Sequence, residues 1–493
     1  MSASTTTHDA PAVPAQRRLS LPIKLLYGLG SVAFGVKDNG FSYLLLFFYS
    51  QVVGLPATQV GLALLIATLW DACIDPLIGQ ISDNTRTRWG RRHPFMYAAA
   101  IPVALSYAAI WNPPHWDHGA LFVYLVVSAI VIRTFTSFYE VPSSALAAEF
   151  SSSYDERSTL LSYRYFFAWV GGLAVQVAAF AVLLKPDKTH SVGQLNPVGY
   201  GHYGVMAAII MFIAIVASAA GTHSRIPTLM SPPPKRKLDL ARTLREMVAT
   251  LSNRSYLFLI ISGLATAMAG GLSSSLNQYF NTYFWGFTAQ QVSLITGSVF
   301  ISAIAALNLA PLLSRVFGKR STAMALIVLS VSIGIGPLFL RLAGLMPPNH
   351  SLALLITITC TSVIGVTFGI VSATMVASMI ADVVEASELK TGRRSEGLLF
   401  AASAFIAKSV SGFGLLAASI VVGFIHLKAG SDPSTVPPEV PRNLALIYAP
   451  TLTALYSVAL LLMLGYRITR ESHQETLRQL AAQVEEVTQA GAA

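Results

Sequence analysis

Charge is what this sequence has least of. Only 11% of its 493 residues are Asp, Glu, Lys or Arg, against about 25% in ordinary soluble domains, and that scarcity excludes a soluble enzyme. Cysteine is nearly absent as well. Cys73 and Cys360 lie far apart inside apolar stretches, which supports neither a disulfide framework nor a zinc site, and both read as small packing residues. No Gly-rich nucleotide loop and no spacing of a catalytic triad occurs, and the histidines sit mostly in loops and tails. ATP-driven transport, intramembrane hydrolysis and a metal constellation are set aside on these grounds, leaving no enzyme and no cofactor to expect. The opening MSASTTTHDAPAVPAQRR lacks the basic, apolar and small-residue order of a cleavable signal peptide, so insertion falls to the first apolar segment.

Apolar runs are abundant: 54% of the residues are hydrophobic and the mean hydropathy is +0.59. A membrane-spanning helix needs about 20 mostly apolar residues. Twelve such runs are predicted, within 22–50, 57–82, 94–111, 119–148, 164–185, 203–222, 256–285, 289–313, 322–345, 351–381, 398–426 and 444–466. The net charge of +10 would suggest nucleic acid in a soluble protein, but here the basic residues punctuate the apolar runs and predict no such partner. Arg17, Arg18 and Lys24 precede span 1. Arg86, Arg88, Arg91 and Arg92 follow span 2, Arg315, Lys319 and Arg320 follow span 8, and Lys390, Arg393 and Arg394 follow span 10. Lys and Arg are retained on the cytoplasmic side of short loops, so both termini are expected inside.

The segment 224–253 is the longest basic, Pro-rich stretch, with six spans before it and six after. It reads as a cytoplasmic linker, either a short amphipathic surface helix through Leu238, Leu240, Leu244 and Met247 or a plain connector. It divides the chain into a short N-terminal segment (1–21), a six-helix bundle (22–223), the linker, a second six-helix bundle (254–468) and a C-terminal tail (469–493). The loops SDNTRTRWGRRHPF and SRVFGKRSTAM each carry Gly-(Arg/Lys)-Arg one loop into their half. This weak repeat fits two parallel halves with a substrate site between them at midplane, the major facilitator arrangement.

The informative residues are the ionisable ones within spans, since a central charge costs roughly 2.5–3.5 kcal/mol to insert. They are Lys37 and Asp38 in span 1, Asp71 and Asp75 in span 2, Arg133 and Glu140 in span 4, and Lys408 in span 11, with Arg164 at the start of span 5. Asp71 and Asp75 are four apart and share one helix face. Two carboxylates so placed cannot both stay charged in low dielectric unless a cation joins them or one takes a proton. The two readings are a coupling-ion site within an acidic pocket of the N-terminal half, and structural pairing, for instance Asp71 with Arg133. Arg133 follows no recognisable pattern and serves either as such a partner or as a functional group. Asp83, Arg88, Gly90, Arg91 and Arg92 either close the cytoplasmic face through charge pairs or only set topology. Gly270 and Gly271 read as packing residues, whereas Ser273, Ser274, Ser275, Asn277 and Gln278 could line a cavity.

The motifs GVKDNG, WDACIDPLIGQISDNTRTRWGRRHPF, FYEVPSSAL, YRYFFAW and ADVVEASELKTGRRSEG occur in order over nearly the whole chain. With them the sequence resembles the glycoside-pentoside-hexuronide:cation symporter family, melibiose permease-like, of the major facilitator superfamily. The resemblance implies the all-α integral membrane fold of twelve helices in two bundles, and cation-coupled transport of a small molecule. It makes Asp71, Asp75 and Ser137 cation-binding residues, with Lys408 beside them, and makes Lys37, Asp38, Glu140 and Arg164 substrate-binding residues. The family's Asn before the second Asp is Ile74 here, which removes an oxygen that a hard cation would use; a proton is therefore favoured over Na+, whose place would be Asp71 and Asp75. Ser144 and Ala373 stand where the family has two sugar-stacking tryptophans.

The resulting expectation is symport of a sugar or glycoside by alternating access, in a protein that is monomeric, embedded in a lipid bilayer and placed in a bacterial inner membrane. The alternatives are a lysophospholipid or other amphiphile as cargo, and a non-transporting sensor.

Overall fold

The structure is a computed structural model that describes residues 19–151, 153–229, 254–391, 396–465 and 479. The terminal segments, most of the linker and the side chains of the 381–397 motif lie outside the described residues, and with them Arg17, Arg18, Lys390, Arg393 and Arg394. Eleven helices are long and apolar enough to cross a membrane: α2 (Ala57–Asn84), α3 (His93–Ile110), α4 (His118–Phe150), α5 (Tyr154–Ala178), α6 (Pro197–His223), α7 (Arg254–Tyr279), α8 (Ala289–Phe317), α9 (Lys319–Leu342), α10 (Leu352–Thr391), α11 (Glu396–Phe424) and α12 (Glu439–Met463).

The remaining span, α1, is built from pieces. Leu21–Leu29 and Val32–Asn39 are helical, followed by a π-turn at Gly40–Leu44, a short helix at Leu45–Phe47 and a second π-turn at Phe48–Val52. Its glycines explain its packing. A Cβ on Gly35 would lie 1.9 Å from the carbonyl oxygen of Ala168, and one on Gly172 2.4 Å from that of Gly35, so α1 and α5 touch backbone to backbone, as small residues permit in membranes. The π-turns begin directly after Lys37 and Asp38. Such turns free backbone groups from the regular ladder and recur at functional sites.

On α2 two stripes are separated by the helical period. Leu62, Ile66, Trp70, Cys73, Leu77 and Ile81 are exposed, whereas Leu64, Thr68, Asp71, Ile78 and Ser82 are buried. The first stripe is the one that lipid covers in an integral membrane protein, and it places Cys73 there rather than in the core; Cys360 is exposed too. Their small size suggested packing, and the phase of the helix overrides it.

The two halves meet along α1 with α7, α2 with α11, and α5 with α8. A single apolar core runs through both halves, but a separate cluster of Leu259, Ala310, Ala323, Met379 and Met463 closes the C-terminal half at the end where the Arg-rich loop after α2 lies. Polar contacts across the halves gather at the opposite end. Tyr283 donates to Gln51 Oε1 at 3.0 Å, Gln194 to the carbonyl of Phe287 at 2.6 Å, and the Gly430 amide to the carbonyl of Gln51 at 2.8 Å. Ser50 pairs with Tyr279, and Ser191 donates to Asp432. That bond and one from Ser434 hold the Asp432 carboxyl below the usual carboxylate range. The chain is thus sealed at the end away from the basic loops.

Gly61 of α2 sits within this seal, and a Cβ there would lie 1.9 Å from Ser419 Oγ of α11. Gly61→Val is therefore expected to part the halves at this end. A cysteine introduced at Ser50, which is 4% exposed, in a chain lacking Cys73 and Cys360 should change from protected to readily alkylated. Unchanged protection would show that the halves tolerate the extra volume.

Candidate functional site: a charge cluster between the halves

Midway along the spans, α2 and α4 run side by side and α11 approaches from the other half. Asp71 and Asp75 project from one face of α2 because they are one turn apart. Arg133 and Ser137, likewise four apart on α4, face them. Arg133 Nη1 donates to Asp71 Oδ2 at 2.7 Å, while its guanidinium lies 5.0 Å from the centre of the Phe41 ring on α1. Ser137 Oγ lies 3.1 Å from Asp71 Oδ1 and 2.5 Å from Asp75 Oδ1. Lys408 of α11 reaches both carboxylates, 2.8 Å to Asp71 Oδ2 and 2.8 Å to Asp75 Oδ2. Among the described residues it is the ionic link between the halves at this depth.

The two carboxylates differ in access. The Asp71 side chain is 1% exposed, and that of Asp75 is 29% exposed. Asp71 is enclosed in the wall, whereas Asp75 is partly open to solvent.

Around this centre stand the residues expected to meet substrate. Lys37 of α1 is buried and pairs at 2.7 Å with Asp38, whose side chain is 60% exposed. The charges of Asp38, Asp71, Glu140 and Lys408 all act on Lys37, and those of Lys37, Lys408, Asp38 and Asp75 act on Glu140. Arg164 is buried, donates to Ser143 Oγ at 2.8 Å and lies 5.7 Å from the rings of Tyr27 and Phe34. It was expected at the start of its span; because α5 begins at Tyr154, it lies ten residues, or about 15 Å, inside the helix.

Four carboxylates (Asp38, Asp71, Asp75, Glu140) thus share this region with four cations (Lys37, Arg133, Arg164, Lys408). The pocket is balanced rather than acidic, which corrects the expectation from α1, α2 and α4 carboxylates alone. Arg133 supplied the missing charge: of the two roles open to it in the sequence, it is the partner of Asp71.

The loop after α2 forms its own network. Arg92 pairs with Asp83 and, at 2.8 Å, with Glu149 of α4; Arg91 meets Glu149 at 2.8 Å. Gly90, at φ +74°, takes a left-handed conformation that favours glycine, and Arg88 lies 5.7 Å from the centre of the Trp89 ring. Among the described residues these pairs tie α2, the loop and α4 together inside one half and do not reach the other.

A cavity of about 510 Å³ lies inside the C-terminal half; the sequence marked residues of α7 as cavity-lining but not their partners on α10 and α12. Ser273 and Asn277 of α7, Asn281 of the π-turn that follows it at Phe280–Phe284, Thr361 of α10 and Tyr448 of α12 line it with hydroxyls and amides, and Trp285 adds an aromatic wall. Its volume falls in the range of ligand pockets, about 300–1,000 Å³. None of the eight charged residues lines it, but Ala373 does, so the position that lacks an aromatic ring opens onto this space. Of the α7 residues noted in the sequence, Ser273 and Asn277 face the cavity, Gln278 is buried with Thr282, and Gly271 packs against α11. Ser144 donates to a carbonyl of its own helix.

Two helical bundles that meet around a charge cluster partly open to solvent and are sealed at one end have the architecture of a membrane transporter of the alternating-access type. Residues 26–470 match the MFS/sugar transport protein family, and the chain belongs to that family. It is 28% identical to the isoprimeverose transporter of Lactiplantibacillus pentosus, over 87% of this chain and 86% of that protein. It is 26% identical to an uncharacterized symporter of Synechocystis sp., over 94% and 97%. The crystal structure of a D-xylose-proton symporter superposes with a TM-score of 0.60 at 16% identity, covering 90% of this chain and 96% of that one, which establishes the major facilitator fold. The protein is an integral membrane transporter and not an enzyme.

Proposed function

We propose that the chain is a cation-coupled symporter that carries a sugar or glycoside into a bacterial cell across its inner membrane, with both termini in the cytoplasm. The observation that carries this reading is the link of Lys408 to Asp75, an ionic contact between the halves at the carboxylate of the α2 pair that is open to water. An ion that binds Asp75 competes with Lys408 and so acts on the equilibrium between the two arrangements of the halves; a ligand shifts such an equilibrium by its differential affinity. The basic loops mark the cytoplasmic face, which makes the sealed end the outer one and this conformation inward-open.

A neutral polyol is the cargo that suits the surroundings. Carboxylate and cation side chains form strong, directional hydrogen bonds to hydroxyls, and Asp38 and Glu140 stand beside Lys37 to supply them. The hydroxyl- and amide-lined cavity in the C-terminal half is apolar enough in balance to hold a second ring of a glycoside. The name of the isoprimeverose transporter supports this class of cargo.

Proteoliposomes loaded at neutral pH and given an inward proton or sodium gradient provide the test, with a panel of labelled mono- and disaccharides and lysophosphatidylcholine alongside. Accumulation of at least one saccharide above its external concentration is the expected result. Accumulation of the lysolipid with no saccharide transported would replace sugar by an amphiphile.

A further inference from the structure

Two questions converge on α4: what a buried arginine does beside the coupling carboxylates, and which ion they take. All four oxygens of the pair are engaged without any added ion. Asp71 Oδ2 accepts from Arg133 and Lys408, Asp75 Oδ2 from Lys408, and Asp71 Oδ1 and Asp75 Oδ1 both face Ser137 Oγ. A sodium ion needs several oxygens free to turn towards it, and Arg133 Nη1 already occupies the side of Asp71 from which it would be held. The adjoining Ile74 offers no replacement ligand.

Ser137 adds no free ligand either: its hydroxyl has one hydrogen to give and already stands 3.1 Å from Asp71 and 2.5 Å from Asp75.

We propose that Arg133 is a resident cation that permanently takes the place of a metal ion at Asp71, so that the carboxylate pair holds no sodium. The proposal rests on the cation-coupled reading above and narrows the ions open to it. The Arg133 guanidinium supplies a full positive charge to Asp71 Oδ2 at 2.7 Å from a buried side chain, and Lys408 supplies a second at 2.8 Å.

Sodium itself is the probe, so no sugar is needed. Purified full-length protein is unfolded thermally in choline chloride or sodium chloride at equal ionic strength, and 22Na+ binding is measured by equilibrium dialysis. The parent is expected to show neither saturable binding nor a sodium-specific shift. R133Q, which leaves Asp71 with Lys408 and Ser137, should acquire saturable sodium binding, and sodium at a hundred times its dissociation constant should shift its unfolding equilibrium about a hundredfold. R133K, which keeps the charge, should remain unresponsive, a contrast that loss of a merely structural arginine would not produce.

Saturable sodium binding by the parent overturns the proposal, whether or not R133Q folds; so does a folded R133Q that stays indifferent to sodium. Because no arm measures sugar accumulation, failure here is separate from failure of the sugar-symport reading.

Discussion

Asp75→Ala is expected to abolish uphill accumulation of substrate while downhill equilibration persists. Ion and substrate coupled by about 3 kcal/mol change each other's affinity more than a hundredfold, and in the proposed mechanism that coupling passes through Asp75. Its side chain is partly open to water, and its Oδ2 shares Lys408 with Asp71. With the carboxylate gone, Lys408 retains Asp71 at 2.8 Å, so the protein should fold and be recovered in normal amount. Only the means by which an ion could compete for the lysine is lost. The check compares steady-state accumulation with counterflow in proteoliposomes. Accumulation that survives in Asp75→Ala would remove this residue from the coupling mechanism.

How much of this could be read from the sequence follows from what each signal measures. Hydropathy located the spans closely, because a span must be apolar whatever it packs against, and charge asymmetry between loops suggested the orientation. The carboxylate pair was legible for a local reason: residues four apart share a helix face in any helix. Lys408 could be placed beside them only through the family resemblance, since nothing local relates position 408 to 75.

Arg133 was legible as an anomaly but not as a partner. Its pairing depends on the rotation of α4 against α2, which no single-helix pattern encodes. The beginning of α5 was misjudged because Tyr154–Tyr163 is polar enough to read as loop, and Arg164 was drawn towards the membrane surface as a result. The interruption of α1 was unreadable for a similar reason: its hydropathy reads as one continuous span, and nothing in it says that the helix passes into π-turns just beyond Lys37 and Asp38. The cavity in the C-terminal half lies between helices distant in sequence: its α7 wall of Ser273 and Asn277 was legible as a polar run, but nothing local relates that run to Thr361 and Tyr448.

The second large effect concerns stability, and it reads the same arginine from its partner's side. Asp71→Leu should destabilise the protein by about 3–5 kcal/mol, because removing one member of a buried ion pair leaves the other charge without compensation. The remaining charge would be Arg133, whose side chain is 8% exposed and whose Nε has no hydrogen-bond partner even in the intact protein. Replacing both members by apolar residues of similar size is often neutral, so Asp71→Leu/Arg133→Met should recover most of that loss. Lys408 keeps Asp75 in either variant. The unfolding midpoints of the parent, the single variant and the double variant in one detergent decide the matter. Recovery in the double variant would show that the pair contributes little net stability. The cost of inserting an arginine into a membrane helix is then not offset by folding, and only its effect on the ion accepted at the neighbouring carboxylate remains to account for its presence. A double variant as unstable as the single one would instead make Arg133 a packing residue whose contacts with Phe41 and its neighbours matter more than its charge.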